Sequence, residues 1–296
     1  MTNLKSHHGL FVGLVTLDLI YLADSPPQNN QKIVATDYTA AAGGPATNAG
    51  VTFSYLGNQA TVAGVVGSHP MTHLIKSDLA DRQVQIVDLH PTPNNPPPVS
   101  SIIVTQTTGE RAVISMNATK IQASSTSLPP NILDNVDIVL IDGHQMSVSR
   151  EIAIAAQAKN IPVAIDGGSW KSGFENILPY VDYAICSSNF LPPNCHQETE
   201  IFAYLNQFSI PYIAITHGEK PITYNLRDES GEIKVPQLQA VDTLGAGDVF
   251  HGAFCHYITQ KGCNFTDALA FAADIAALSC RCFGTRTWMN SGNIKK

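Results

Sequence analysis

Charge is scarce in this chain. Only 14% of its residues are charged, with 24 acids against 17 bases. A nucleic-acid surface needs clustered Lys and Arg, so the composition argues against nucleic acid as a partner, and the net charge of −7 argues equally against an anionic membrane. No apolar run reaches about 18 residues, the length of a membrane-spanning helix. The opening MTNLKSHHGLFVGLV carries no charged leader segment and no small-residue cleavage site, so a cytoplasmic protein is expected. The six cysteines form no CxxC pair and the ten histidines no HExxH spacing, which leaves zinc without a ligand set. The thiols read instead as core residues in a reducing compartment. Two nucleotide signatures are also missing. No Gly-Lys-Ser or Gly-Lys-Thr completes a P-loop, and Phe250 stands where the third glycine of a GxGxxG fingerprint would follow Gly245 and Gly247. A nicotinamide dehydrogenase would carry that fingerprint after its first strand, where this chain has Leu17-Asp18-Leu19.

Apolar residues are plentiful at 44% of 296, enough for one large domain or one with a small appendage. Short, β-rich, continuously apolar runs lie at 10–15, 61–66, 138–141, 162–165, 183–186 and 212–215. Strands buried on both faces of a parallel sheet have this appearance. Helical patterns at 45–56, 71–83, 147–160, 198–208, 247–260 and 266–282 alternate with them, which predicts a doubly wound, mostly parallel α/β sheet between helices. Polar or glycine residues close several strands: Asp142-Gly143-His144, Asp166-Gly167-Gly168, Ser187-Ser188-Asn189 and Thr216-His217-Gly218. In open α/β sheets that edge holds the ligand. Residues 17–42 and 98–118 break the alternation with β-branched, period-two patterns and read as hairpins outside the main sheet. The proline-rich stretch 91–98 leads into the second of them.

The segment 241–250, Val-Asp-Thr-Leu-Gly-Ala-Gly-Asp-Val-Phe, carries the most chemistry. Two carboxylates, Asp242 and Asp248, flank Gly245 and Gly247, and the second opens a helix whose apolar face would be Val249, Phe250, Ala253, Phe254, Tyr257 and Ile258. Backbone N–H groups at such a helix start converge on an anion. A carboxylate beside them can take a proton from a hydroxyl while the amides stabilise developing negative charge. A capped helix with turn glycines would also account for this segment taken alone.

The string DTLGAGDVFHGAF resembles the C-terminal signature of the PfkB, or ribokinase-like, family of carbohydrate and nucleoside kinases. Gly43-Gly44-Pro45-Ala46-Thr47-Asn48-Ala49-Gly50 resembles the family's N-terminal signature, Gly13-x-x-x-x-Asp18 its first strand end, and Thr216-His217-Gly218-Glu219-Lys220 its nucleotide-side turn. The four run in family order across nearly the whole chain. The resemblance implies a single ribokinase-like kinase domain over 1–296, with the regions 17–42 and 98–118 paired into a small β lid over the substrate. It implies ATP-dependent phosphorylation of a sugar hydroxyl, on a fructose- or ribose-like ketose or pentose, with Asp248 as the base and Mg²⁺ bridging the phosphates. The amides of Gly245, Ala246 and Gly247 would cradle the transferred phosphoryl group. Asp18, Gly43, Gly44 and Asn48 would hold the sugar, with Arg111 reaching an anionic group on it. Thr216, Gly218, Lys171, Ser187, Asp242 and Thr243 are expected on the nucleotide side. Asp242 either orients its loop or helps hold a monovalent cation such as K⁺. Exposed edges of the lid could pair across a homodimer.

The chain departs from the family pattern at one telling place. Many members carry Asn-x-x-Glu after the strand at 183–186, supporting magnesium; here Ser187 and Phe190 occupy those positions, and the carboxylate is absent. Some ketohexokinase-like branches lack it too. Gly67-Ser68-His69-Pro70 likewise replaces the usual Gly-x-Asp-x-x-Gly turn, and Pro221 stands where a glycine is common. These departures leave the metal arrangement open, and they keep two other readings in view: a nucleoside kinase, and a sugar-binding regulator that no longer transfers phosphate. Against the nucleoside stands a lid with no evident aromatic pair for stacking a base.

Overall fold

A computed structural model describes residues 6–116, 121–227 and 229–291; the final two positions of the expected lid region, 117 and 118, lie outside the described residues. Two sheets organise the chain. The larger has nine strands: β1 (His8–Val12), β4 (Gln59–Gly64), β5 (Val84–Asp88), β8 (Ile138–Ile141), β9 (Val163–Gly167), β10 (Tyr183–Ser187), β11 (Tyr212–His217), β12 (Lys220–Leu226) and β13 (Glu229–Ile233). Their spatial order is β13-β12-β11-β10-β9-β8-β1-β4-β5. The seven strands from β11 to β5 pair in parallel, and β12 and β13 add an antiparallel hairpin at one edge. Strand pleating sends alternate side chains to opposite faces. Phe11 joins one buried cluster with Phe53, Phe254 and Trp288, whereas Leu10 and Val12 join another with Ile152, Phe174 and Leu205. Helices α1 (Pro45–Tyr55), α2 (Thr72–Asp81), α5 (Ala246–Ile258) and α6 (Phe265–Ser279) contribute to the first cluster; α3 (Met146–Ala158) and α4 (Glu198–Asn206) contribute to the second. This is the doubly wound arrangement that the apolar runs predict, and all six expected helices and six expected core strands are present.

The smaller sheet is the lid. It holds β2 (Thr16–Ala23), β3 (Asp37–Gly43), β6 (Val99–Thr105) and β7 (Arg111–Ser115), in the order β3-β2-β6-β7. The two hairpins join through a parallel β2–β6 pairing that sets Asp18 beside Ser100, while the antiparallel β2–β3 pairing sets it beside Ala41. Ile20, Ile102 and Val104 lie buried and pack with Leu244 and Phe283, residues of the loops that frame α5 and α6. Burying each such side chain contributes about 1.5–3 kcal/mol, so this small apolar seam holds the lid against the body beside the Asp242–Gly247 turn. Asp18 shares the face of Ile20. Tyr21 faces the other way and is cross-strand partner to Tyr38. The lid therefore does carry an aromatic pair, on the face opposite Asp18.

Candidate active site

Chain direction brings the ends of five elements together. β1 gives way to β2 after Gly13, β3 ends at Gly43 and runs straight into α1, and α5 begins at Ala246. Gly43 lies directly under the Asp18 carboxylate, where an added Cβ would collide with that group. Asn48, in the first turn of α1, donates from Nδ2 to Asp248 Oδ2 at 2.8 Å. Asp18 is close enough for its charge to act on Asp248. Asp18, Gly43, Gly44, Asn48 and Asp248 thus form one constellation, although Asn48 and Asp248 stand 200 positions apart.

The turn before α5 has the geometry of an anion cradle. Gly245 adopts φ 71, in the left-handed region where an L side chain is strained and glycine is not. α5 then starts at Ala246, so the amides of Gly247 and Asp248 fall in a first turn that supplies no intrahelical acceptor. Asp242 is buried, and its two oxygens accept the amides of Leu244 at 2.8 Å and Gly284 at 2.9 Å. It therefore ties this loop to the one that follows α6. Arg111, expected toward the substrate, donates instead to the carbonyl and hydroxyl of Thr243 at 3.3 and 3.0 Å, linking the lid hairpin to the same loop.

Asp248 keeps partial exposure but is densely surrounded by protein. Burial pushes its carboxyl up to about 7, with the neighbouring Asp166 charge adding to the rise; the Asn48 hydrogen bond and His251 pull the other way, and Asp18 adds a smaller increase. A carboxylate poised there suits a general base near neutral pH. Burial likewise raises Asp18, against hydrogen bonds from Thr16 and Ser100 and the charge of Arg286. Asp142 behaves in the opposite way. Burial disfavours its charge, yet His144 and the amide of Leu14 hold its carboxyl down to about 2. Its oxygens accept Leu14 N, Ala46 N and His144 N, so it braces the β1–β2 junction and the start of α1.

The nucleotide-side candidates form a second group at the ends of β9, β10 and β11. Ser187 and Thr216 are register partners on neighbouring strands. Ser187 Oγ donates to Gly168 O at 2.8 Å, Thr216 Oγ1 to Cys186 O at 3.4 Å, and Gly218 forms the turn into β12. Lys171 Nζ lies 3.3 Å from Ser169 O and over the Phe174 ring. Phe190, where the family carboxylate would stand, is completely buried and packs at 5.4 and 5.5 Å centroid distance on Trp170 and Phe174. That position belongs to the core.

Among the described residues no group of three or more His, Cys, Asp or Glu side chains could hold a metal ion. Mg²⁺ needs no such cage, because it keeps waters and binds one or two carboxylates together with substrate phosphates. The buried Asp166 at the end of β9, beside Asp248 and paired with His251 Nδ1 at 3.4 Å, is the carboxylate that fits this requirement. Four side chains at the candidate site receive no role from the sequence: Asp166, His251, Asp78 and Arg286. Asp166 has a signal as a strand-closing acid on the ligand edge, His251 lies within the DTLGAGDVFHGAF string, and Arg286 is a lone cation inside the apolar string Phe283-Gly-Thr-Arg-Thr-Trp-Met289.

A doubly wound sheet, a lid, and an acid beside glycine amides at a helix start define an α/β phosphotransferase architecture. Residues 7–291 match the pfkB family of carbohydrate kinases, and the chain belongs to that family. The chain is 24% identical over 290 residues to a ribokinase of Bacillus subtilis, covering 95% of this chain and 96% of the relative. A crystal structure from Agrobacterium tumefaciens, described as a candidate ribokinase, superposes with a TM-score of 0.85 at 23% identity, covering 96% of this chain and 94% of the other. The Arabidopsis thaliana ribokinase complexed with ribose and ATP gives 0.76 at 21% identity, covering 95% and 94%. At such identities the structural likeness speaks for the fold.

Proposed function

We propose that this protein transfers the γ-phosphoryl group of ATP to a hydroxyl of a ribose- or fructose-like sugar, with Asp248 as the general base. The observation that carries this reading is the placement of Asp248. It sits in the first turn of α5, is oriented by Asn48 at 2.8 Å, and lies within electrostatic reach of Asp18. Asp18 and the Gly43-Gly44 backbone bind the sugar, a carboxylate accepting from two hydroxyls. Asp248 takes the proton of the attacking hydroxyl, and the amides of Gly245 and Gly247 stabilise charge on the transferred group, joined by that of Ala246 once it leaves the Thr243 carbonyl to which it donates at 3.3 Å. Thr216, Gly218, Ser187 and Lys171 receive the nucleotide. Mg²⁺ carried on the ATP phosphates would neutralise charge on the phosphoryl oxygens. The polar face around Asp18, with the Tyr21–Tyr38 pair turned away from it, favours a sugar over a nucleoside base.

The test is ATP turnover across a panel of pentoses, ketoses and nucleosides, with Asp248→Asn as control. Turnover of a sugar that falls by about 10²–10⁴ in the variant supports the reading. Saturable sugar binding without turnover would leave a sugar-binding regulator in its place.

We also propose a homodimer formed through the lid. Its outer face exposes Tyr38, Ile114 and Met116 at 74%, 76% and 72%, and apolar patches of this kind mark interaction surfaces.

A further inference from the structure

Arg286 lies in the loop after α6 and is 8% exposed. A guanidinium has five N–H donors and no acceptor, and here each of the five has a partner. Nε donates to Asp78 Oδ2 at 3.3 Å, and Nη2 donates to the same oxygen at 3.1 Å. The second Nη2 donor meets Ala42 O at 2.6 Å. Nη1 donates to Thr285 O at 3.4 Å and to Asn48 Oδ1 at 2.9 Å. Asp78 Oδ2 in turn accepts the amide of Ala42 at 3.0 Å. The ion pair therefore grips both backbone groups of Ala42, the residue before Gly43.

The contact with Asn48 has a chemical consequence. Because Arg286 can only donate, it obliges the Asn48 amide to present its oxygen, and the NH₂ must then face the other way, toward Asp248 Oδ2. With Oδ2 engaged at 2.8 Å, Oδ1 is the oxygen left for a substrate hydroxyl. A flipped Asn48 would aim its carbonyl oxygen at Asp248 and repel the carboxylate. We infer that Arg286, held by Asp78, is a positioning residue that fixes the Asn48 amide and, through it, the working orientation of Asp248. The same side chain clamps the root of the Gly43-Gly44 turn, so one group sets both the sugar-side backbone and the base. This inference rests on the kinase reading for its kinetics and on geometry alone for the amide orientation.

Two measurements test it. Arg286→Gln should lower kcat about 10–100-fold with the KM for ATP changed less than about twofold, since the base is disturbed and the nucleotide group is not. In an Asn48→Ala background the same substitution should add less than about a further twofold to the loss of kcat, because its route to the base passes through Asn48, whereas a loosened Gly43-Gly44 turn would appear in the KM for the sugar. Full additivity of the two substitutions, or an unchanged kcat in the single variant, would overturn the inference. Should Arg286→Gln fail to fold with Asp78 left charged and unpaired, Asp78→Asn/Arg286→Gln removes both charges and carries the same kinetic expectation. The second measurement needs no turnover. In ¹⁵N NMR the side-chain NH₂ of Asn48 should exchange slowly with solvent in the wild-type protein and at least about tenfold faster in Arg286→Gln, where nothing obliges the amide oxygen to face residue 286. Equally slow exchange in the two proteins would overturn the inference, even if the sugar panel showed no turnover and the kinase reading itself had failed.

Discussion

The raised carboxyl of Asp248 carries a folding cost beside its proposed role. Its carboxyl is raised to about 7 in the native protein and titrates near 3.9 in an unfolded chain. Between those values the native state holds a proton that the unfolded state has released, so this group's contribution to stability declines as pH rises from about 4 to about 7 and is flat above that range. With Asp248 as the proposed base, catalysis would run the other way, because such a base works deprotonated. We expect kcat/KM to rise with pH through an acid limb near 7. Asp248→Asn should abolish that limb along with most turnover, yet its Tm at pH 8 should equal or exceed that of the parent, since a buried charge has been removed. A lower Tm at pH 8 would show that the carboxylate is structurally required.

At the level of elements, the proposed sugar and nucleotide groups stand on different sheets. Asp18 belongs to β2 and the inner lid face, whereas Thr216 and Ser187 belong to the main sheet. Asp18→Ala should therefore raise the KM for the sugar at least about tenfold, the scale of a lost hydrogen bond to a charged group, and leave the KM for ATP within about twofold. Equal changes in both would move Asp18 out of the sugar site. The helices and buried parallel strands were legible in the sequence because one periodicity dominates each of them. β5, β12 and β13 were not, since strings such as KPITYNL and ESGEI are mixed in polarity and lie half-exposed at or near the sheet edges. The parallel β2–β6 pairing joins segments about 80 positions apart, and no local pattern encodes it. In the site, glycine-flanked acids announced themselves through spacing. Asp78 and Arg286 did not, because a charge on an amphipathic helix and a lone arginine in a loop read as solvated until folding buries them together. Arg111 shows the converse, a residue whose type suggested an anionic ligand and whose side chain is engaged by Thr243.

At the scale of the whole molecule, the outer lid face bears on assembly. A second copy seated on Tyr38, Ile114 and Met116 would bury an apolar patch that a monomer leaves in water. Sedimentation at micromolar concentration should give about twice the 31.7 kDa chain mass, and Ile114→Lys should shift the population toward the monomer, as a desolvated charge at an interface core does. A monomeric mass for the parent protein would remove the lid-mediated dimer.

The hydrogen bond from Asn48 to Asp248 also closes a loop of 200 residues, and that from Arg286 to Asn48 one of 238. Contacts of such sequence separation form late, after the chain between them has paid its ordering entropy. With Asp248 as the proposed base, a chain that ends before α5 would keep every strand of both sheets and the Gly43-Gly44 backbone, yet lack Asp248 and Arg286. On that reading phosphoryl transfer depends on the helix layer that closes over the sheet last in sequence, and the sheets alone could at most bind.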